Sequence, residues 1–323
     1  MPNHKPTNRH FNLMITLTLF AFLAQGQNPV KTHEAVTIGG ISQWIGAQGS
    51  DDTKPLLLFL HGGPGFSSKG YSKKFIKYLK DDFIVAQWDQ RETGITAHWG
   101  PYKDSLTLDL FHKDTEEVVD FLLKKFSKEQ LYLVGFSWGG FLGLHYANAH
   151  PEKLHAYVSV SGMIYNDESE RITLEYLKEK ASQEDNQEAL IELNQITVPM
   201  DSWEQLYYQR KWTAVLLEES SAKKKFPRDL VQEWSTKWMP LYLEASKVDY
   251  QLAAPKIQCP IYFFLSKKDF ISNYQVAEAY FKKLQAPSKE IIWFEDSTHE
   301  IPSQEPKRFS EELIGIAKSI RKE

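Results

Sequence analysis

The sequence contains very little cysteine and no surplus of positive charge. Cys259 is the only cysteine in 323 residues. An intramolecular disulfide therefore cannot form, and the fold must rely on its hydrophobic core. The formal net charge of −4 leaves no basic excess to neutralise a run of phosphates, which argues against nucleic-acid binding. Without a cysteine–histidine cluster to suggest zinc, we expect neither a metal nor a cofactor.

The chain also lacks an apolar run long enough to span a bilayer, although its first 26 residues differ from the rest. Lys5 and Arg9 precede a mostly apolar stretch, residues 11–24, and small residues around Gly26 offer a cleavage point. This stretch of about 14 residues is shorter than the roughly 20 needed to span hydrocarbon. We therefore predict a signal peptide, export to the periplasm or the extracellular space, and no stable membrane insertion.

Beyond residue 27, short β-rich runs alternate with longer helical stretches, which is typical of an α/β fold. Residues 34–49 are expected to form a hairpin that turns at Gly39-Gly40. Several later runs are apolar without alternation, as in strands that helices cover on both faces. These six predicted strands are residues 56–60, 83–88, 131–134, 156–160, 261–265 and 290–294.

The strand signal disappears between residues 163 and 253, where helical stretches rich in Trp, Tyr and charged residues replace it. We interpret this block as a helical cap inserted between the predicted strands 156–160 and 261–265, the sixth and seventh when the two hairpin strands are counted. The predicted organisation is a signal peptide at 1–26, a first core part at 27–162, the cap at 163–253 and a second core part at 254–323. Predicted helices include residues 108–126, 141–149, 201–219, 227–247 and 306–322.

A G-x-S-x-G motif at residues 135–139 carries the strongest chemical signal. It follows the predicted strand 131–134 and precedes the predicted helix 141–149. A sharp strand-to-helix turn projects the hydroxyl of its central residue, and flanking glycines avoid steric clashes. The context favours Ser137 as a nucleophile over an incidental serine in a glycine-rich turn.

A serine hydroxyl needs a base to activate it, and a carboxylate must orient that base. Asp269 follows the strand 261–265, and His299 follows the strand 290–294. Both are therefore expected at the same sheet edge as Ser137, where parallel α/β sheets bind ligands. We predict His299 as the general base and Asp269 as its partner. Asp296, close to His299 in the sequence, is the alternative carboxylate.

The segment His61-Gly62-Gly63-Pro64-Gly65 follows the strand 56–60. Acyl transfer passes through a tetrahedral oxyanion, which two fixed backbone N–H groups can stabilise. By position, the donors of this oxyanion hole are predicted to be Gly63 and Trp138. His61 is expected to make a structural hydrogen bond that holds the loop, because His299 fills the role of base better.

These motifs resemble those of the proline iminopeptidase (prolyl aminopeptidase) family of α/β-hydrolases. That family combines an H-G-G-P-G loop, a D-Q-R-G-x-G turn and a G-G-S-W-G elbow, which residues 61–65, 89–94 and 135–139 match. Glu92 stands where the family usually has glycine, and Phe136 where it often has a second glycine. Within the D-Q-R turn, we interpret Asp89 and Arg91 as a structural ion pair.

The resemblance implies an α/β-hydrolase fold with a helical cap, and it assigns the same triad and oxyanion hole. It also implies an aminopeptidase that releases N-terminal proline, or a similar residue, from small peptides. Such an enzyme must hold a desolvated ammonium with a carboxylate. Glu204 of the cap is our candidate, with Glu218 and Glu219 as alternatives. The cap also holds six aromatic residues that could line a pocket or pack on the core: Trp203, Tyr207, Tyr208, Trp212, Trp234 and Trp238.

Two other functions are compatible with these residues. One is a carboxylesterase, or another acyl hydrolase of small esters, that uses the same triad. The other is a non-catalytic member of the fold that binds a ligand, although the complete triad argues against it. The sequence does not indicate an oligomeric state.

Overall fold

The computed structural model describes residues 1–2, 28–100, 102–217 and 227–321. The predicted signal peptide at 1–26 lies almost entirely outside the described residues, and so do Glu218 and Glu219. Within the described ranges, no helix combines the length and the apolar character needed to cross a membrane.

Eight strands of the described chain form a single sheet. They are β1 Val30–Ile38, β2 Ile41–Gly49, β3 Leu56–Leu60, β4 Ile84–Asp89, β5 Leu131–Phe136, β6 Leu154–Val160, β7 Ile261–Leu265 and β8 Lys289–Trp293. Their order across the sheet is β1-β2-β4-β3-β5-β6-β7-β8. β2 pairs antiparallel with β1 and β4, and the remaining pairs are parallel. The predicted mostly parallel α/β sheet is confirmed.

Both faces of the central strands are buried, as the non-alternating apolar runs predict. In β3, Leu56, Leu58 and Leu60 belong to one hydrophobic cluster, whereas Leu57 and Phe59 belong to another. Because successive strand residues point to opposite faces, a strand that is covered on both faces is apolar at most positions.

Twelve α-helices lie in the described residues. Four precede β6: α1 Lys73–Leu79, α2 Gly94–His98, α3 Leu108–Lys125 and α4 Trp138–Ala149. Between β6 and β7, the chain contains no strand in its described part and five helices: α5 Asn166–Gln183, α6 Gln187–Leu193, α7 Trp203–Leu216, α8 Arg228–Ser246 and α9 Tyr250–Ala253. The last three helices pack on the sheet: α10 Tyr274–Lys283, α11 Ile301–Gln304 and α12 Pro306–Ile320.

Candidate active site

Ser137 occupies the turn between β5 and α4. Its backbone φ of +54° lies in a region that residues other than glycine seldom adopt. Hydrogen bonds on both sides hold this conformation: the Ser137 N–H donates to the Val160 carbonyl at 2.9 Å, and its carbonyl accepts from the Phe141 N–H at 3.1 Å. The strained turn predicted from the G-x-S-x-G motif is therefore present.

The same turn brings helix α4 against the end of β3. A Cβ added to Gly139 would lie 2.2 Å from the Leu60 carbonyl oxygen, so a side chain cannot fit there. This close approach places the start of α4 beside the glycine-rich loop that follows β3. Trp138 is the first residue of α4, and the first N–H groups of a helix have no acceptor within the helix.

His299 and Asp269 meet at the ends of β8 and β7. The His299 Nδ1 lies 3.0 Å from each carboxylate oxygen of Asp269. Asp269 is fixed in turn, because its Oδ1 accepts from the N–H groups of Ile271 at 2.9 Å and Ser272 at 3.0 Å. A carboxylate only accepts, so Nδ1 carries the proton and Nε2 is the basic nitrogen. Asp296, the alternative partner, is exposed.

Ser137 and His299 line one cavity of about 330 Å³, together with the backbone of Gly62 and Gly63. This volume lies near the lower end of the roughly 300–1,000 Å³ typical of small-molecule sites. Much of the remaining wall is apolar and comes from the cap, including Leu206, Leu230, Val231 and Trp234. Of the six cap aromatics considered from the sequence, Trp234 is among the described residues that line the cavity, whereas Tyr207, Trp212 and Trp238 are buried in the packed interior.

The glycine-rich loop is held by a buried histidine. Gly63 has a φ of +126°, and a Cβ there would lie 2.7 Å from the Gly65 nitrogen. The His61 Nε2 accepts from the Gln90 N–H at 3.3 Å, so its Nδ1 carries the proton and donates to the Gly62 carbonyl at 2.8 Å. Burial lowers the pKa of His61, which keeps the ring neutral. His61 therefore makes the structural hydrogen bond that the sequence predicted.

Gln90 joins the glycine-rich loop to the serine turn. Besides its backbone bond to His61, its side-chain Oε1 accepts from the Trp138 indole N–H at 2.9 Å. One residue of the D-Q-R turn thus contacts both segments that carry the predicted oxyanion donors.

Comparison with known proteins matches residues 55–306 to the alpha/beta hydrolase fold family. The chain belongs to this family. A relative from Bacillus subtilis (strain 168), named probable aminopeptidase YbaC, is 29% identical over 88% of this chain and 95% of its own length. The proline iminopeptidase of Aeromonas sobria is 32% identical over 35% of this chain and 29% of its own length. The resemblance inferred from the motifs is confirmed.

Solved structures agree on the fold. The structure of a proline iminopeptidase from Mycobacterium smegmatis superposes with a TM-score of 0.63, covering 90% of this α/β-hydrolase and 98% of that chain. A proline iminopeptidase-related protein from Thermus thermophilus gives 0.61 over 90% and 98%. Both are 17% identical to this hydrolase, so the likeness shows the fold alone.

The predicted ion pair between Asp89 and Arg91 is wrong. In this hydrolase Arg91 pairs with Asp114 of α3, through an Nη2–Oδ1 distance of 2.7 Å and an Nε–Oδ2 distance of 2.9 Å. Asp89 instead accepts from the Ser67 hydroxyl and, at 2.8 Å, from the Ile95 N–H near the start of α2. The sequence contained a signal for the true partner. Position 114 lies on the apolar face of the predicted helix 108–126, and a carboxylate on a buried face needs a cationic partner.

We expect Asp114→Ala to lower the free energy of unfolding by about 3–5 kcal/mol, because it leaves the Arg91 charge buried and unpaired. Both side chains of this pair are 0% exposed. Asp109→Ala is the matched control, since its partner Lys113 lies on the surface of the same helix and their pair is solvated. Urea denaturation should show a large change for the first variant and almost none for the control. Equal shifts would contradict this account.

Glu92 stands where the family motif usually has glycine, and the structure shows what its side chain does there. Its φ is +60°, a conformation that glycine adopts without strain and that accounts for the glycine usually found there. Here the Glu92 carboxylate is buried, accepts from the Tyr102 N–H and forms an ion pair with Lys237 of α8. The Trp234 indole of α8 also donates to the Pro64 carbonyl at 2.8 Å. Helix α8 thus contacts both loops beside the active site.

The cap side of the cavity holds a polar network that sequence reasoning missed. The Arg210 Nη1 donates to the Glu170 Oε2 at 2.9 Å, and its Nη2 contacts the Oε1 of the same carboxylate. The Tyr242 hydroxyl donates to Glu170 Oε1 at 2.5 Å, and the Asn166 amide donates to the Tyr242 hydroxyl at 2.8 Å. Asn166, Arg210 and Tyr242 line the cavity, so the network forms part of its wall.

Glu204 lies away from this wall. It sits in the first turn of α7 and is not among the described residues that line the cavity, whereas Leu206 and Arg210 of the same helix are. At 100° per residue, Glu204 is rotated by about 120–160° from both of them around the helix axis. The structure therefore brings Ser137 and His299 to one cavity and leaves the predicted ammonium-binding residue Glu204 outside it.

Proposed function

We propose that this α/β-hydrolase is a serine hydrolase that forms an acyl-enzyme, and that it is an aminopeptidase releasing N-terminal proline, or a similar residue, from short peptides. One observation carries the proposal: Ser137, the Asp269-oriented His299 and the glycine-rich loop converge on a single cavity. The aminopeptidase names of the relatives support the substrate class.

In the proposed reaction, His299 Nε2 accepts the Ser137 hydroxyl proton as Oγ attacks the scissile carbonyl carbon. The oxyanion accepts hydrogen bonds from the N–H groups of Gly63 and Trp138, each of which contributes a factor on the order of 10²–10³. The tetrahedral species collapses, the C–N bond breaks, and the imidazolium protonates the departing amine. Water, deprotonated by the same imidazole, then attacks the acyl carbon. The ester bond to Ser137 Oγ breaks, Oγ takes the proton from the imidazolium, and the free acid leaves.

Hydrolysis of small esters is the second candidate. The cap wall contributes mainly apolar side chains, which would accept an uncharged acyl group as readily as a prolyl ring. The triad and the oxyanion hole treat esters and amides by the same chemistry, so specificity depends on how the cavity receives the acyl part.

Three substrates separate the candidates: prolyl p-nitroanilide, its N-acetyl derivative and p-nitrophenyl acetate. We expect hydrolysis of the free amine, and a loss of about ten- to a hundredfold in kcat/KM on acetylation, the effect of losing one charge-assisted hydrogen bond. Ester hydrolysis should be a weaker side activity. Strong ester turnover without cleavage of any free-amine arylamide would reject the peptidase and support the esterase.

A further inference from the structure

Among the described residues of the cavity wall, one carboxylate has no cationic or hydrogen-bonding partner. This residue, Glu300, directly follows His299 and is the acidic member of that wall. Its side chain is exposed and makes no hydrogen bond or ion pair with other described residues. Burial, with the Glu300 charge as a further cause, raises the pKa of Tyr71, another residue of the wall. Glu300 therefore offers the cavity a carboxylate that no described side chain occupies.

The described part of the cap cannot offer a comparable acceptor. Its buried carboxylate, Glu170, has a side chain that is only 3% exposed and already binds Arg210 and Tyr242. Arg210 lines the cavity and Glu170 does not, so the charged side chain that this part of the cap contributes to the wall is a cation. An ammonium is also a cation and can only donate hydrogen bonds, so Arg210 does not attract it. The carboxylate of Glu170 is already occupied by Arg210 and Tyr242.

Substrate geometry also favours a carboxylate beside the catalytic pair. In an N-terminal residue, the ammonium nitrogen is two bonds, or about 2.5 Å, from the carbonyl carbon under attack. A group that binds this ammonium must therefore lie near Ser137 and His299. Glu300 adjoins His299 in the chain and lines the same cavity.

We propose that Glu300 binds the ammonium of the substrate's N-terminal residue and so determines the specificity for a free amine. This assignment rests on the aminopeptidase function proposed above. It moves the ammonium-binding residue from the cap, where the sequence suggested Glu204, to the core loop that also carries His299. Acetylated substrates would lose the ion pair and leave the carboxylate facing an uncharged amide.

The test compares Glu300→Gln with the wild-type protein on prolyl p-nitroanilide and on p-nitrophenyl acetate. We expect KM for the prolyl substrate to rise about five- to fiftyfold with kcat little changed, since the lost interaction is a charge-assisted hydrogen bond. The ratio of kcat/KM for the amine substrate to that for the ester should fall by the same factor. Glu300→Asp should restore part of it.

Glu295→Gln is the matched control, because it removes an exposed carboxylate from the same loop and Glu295 is not among the described residues of the cavity wall. It should behave as wild type. An unchanged ratio in Glu300→Gln, or an equal loss of kcat on both substrates, would overturn the assignment while wild-type cleavage of the prolyl substrate upholds the proposed function. If wild type cleaves only the ester, the function itself fails, and the Glu300 proposal falls with it.

Discussion

Ser137→Ala is expected to abolish labelling by a fluorophosphonate probe and to lower kcat by a factor on the order of 10⁶. The probe reacts with a serine hydroxyl that a neighbouring base activates, and the strained turn presents Ser137 to the cavity. Alanine fits the same backbone without adding atoms, so the circular dichroism spectrum and the melting temperature should stay close to those of wild type.

Ser272→Ala serves as the control for this experiment. Ser272 lines the same cavity, but it lies beyond β7 rather than at the turn after β5. The control should be labelled like wild type. Labelling that persists in Ser137→Ala, or that disappears only in Ser272→Ala, would remove Ser137 as the nucleophile.

His299→Ala is expected to lower kcat by about 10⁴–10⁶ while the protein remains folded. In the proposed mechanism, activation of Ser137 depends on the imidazole whose Nδ1 lies 3.0 Å from both oxygens of Asp269. Steady-state kinetics at saturating substrate measure the loss, and thermal unfolding reports on the fold. The loss of kcat in Asp269→Asn should be similar, about 10⁴-fold, because the amide favours the wrong tautomer of the imidazole.

His61→Ala makes an informative contrast because this histidine is also buried beside the active site. The change leaves the Gln90 N–H and the Gly62 carbonyl without their partner, so the melting temperature should fall. We expect a smaller loss of kcat than in His299→Ala. If a folded His61→Ala protein lost more kcat than His299→Ala, the roles of the two histidines would be reversed.

The sheet was largely predictable because its central strands are short, mostly apolar runs without alternation. The predicted strand 261–265 coincides with β7, and the hairpin turn falls at Gly39-Gly40 as expected. The ends of other strands were less clear. β1 begins at Val30 rather than at 34, where exposed Lys31 and His33 weaken the apolar pattern while pairing with β2 continues. β6 begins at Leu154 rather than at 156, because the half-buried His155 interrupts the apolar run.

The location of Ser137, Asp269 and His299 at one sheet edge could also be predicted, since each follows a parallel strand and parallel strands end at the same edge. Contacts between elements that are distant in the sequence could not be predicted. The pairing of Arg91 with Asp114 depends on how α3 lies against the turn after β4. The exclusion of Glu204 from the cavity depends on the rotation of α7 about its axis. Sequence spacing alone determines neither quantity.

Helix α8 limits how the specificity of this hydrolase could be redesigned. Lys237 binds Glu92, and Trp234 donates to the Pro64 carbonyl, so one cap helix helps to shape the loops on which the proposed oxyanion hole depends. A chimera carrying the cap of a related enzyme would lose both contacts unless the donor helix supplied equivalent residues. Exchange of the cap would then change the turnover of every substrate, and a transplant intended to alter substrate choice would need an indole donor at position 234 and a cation at position 237.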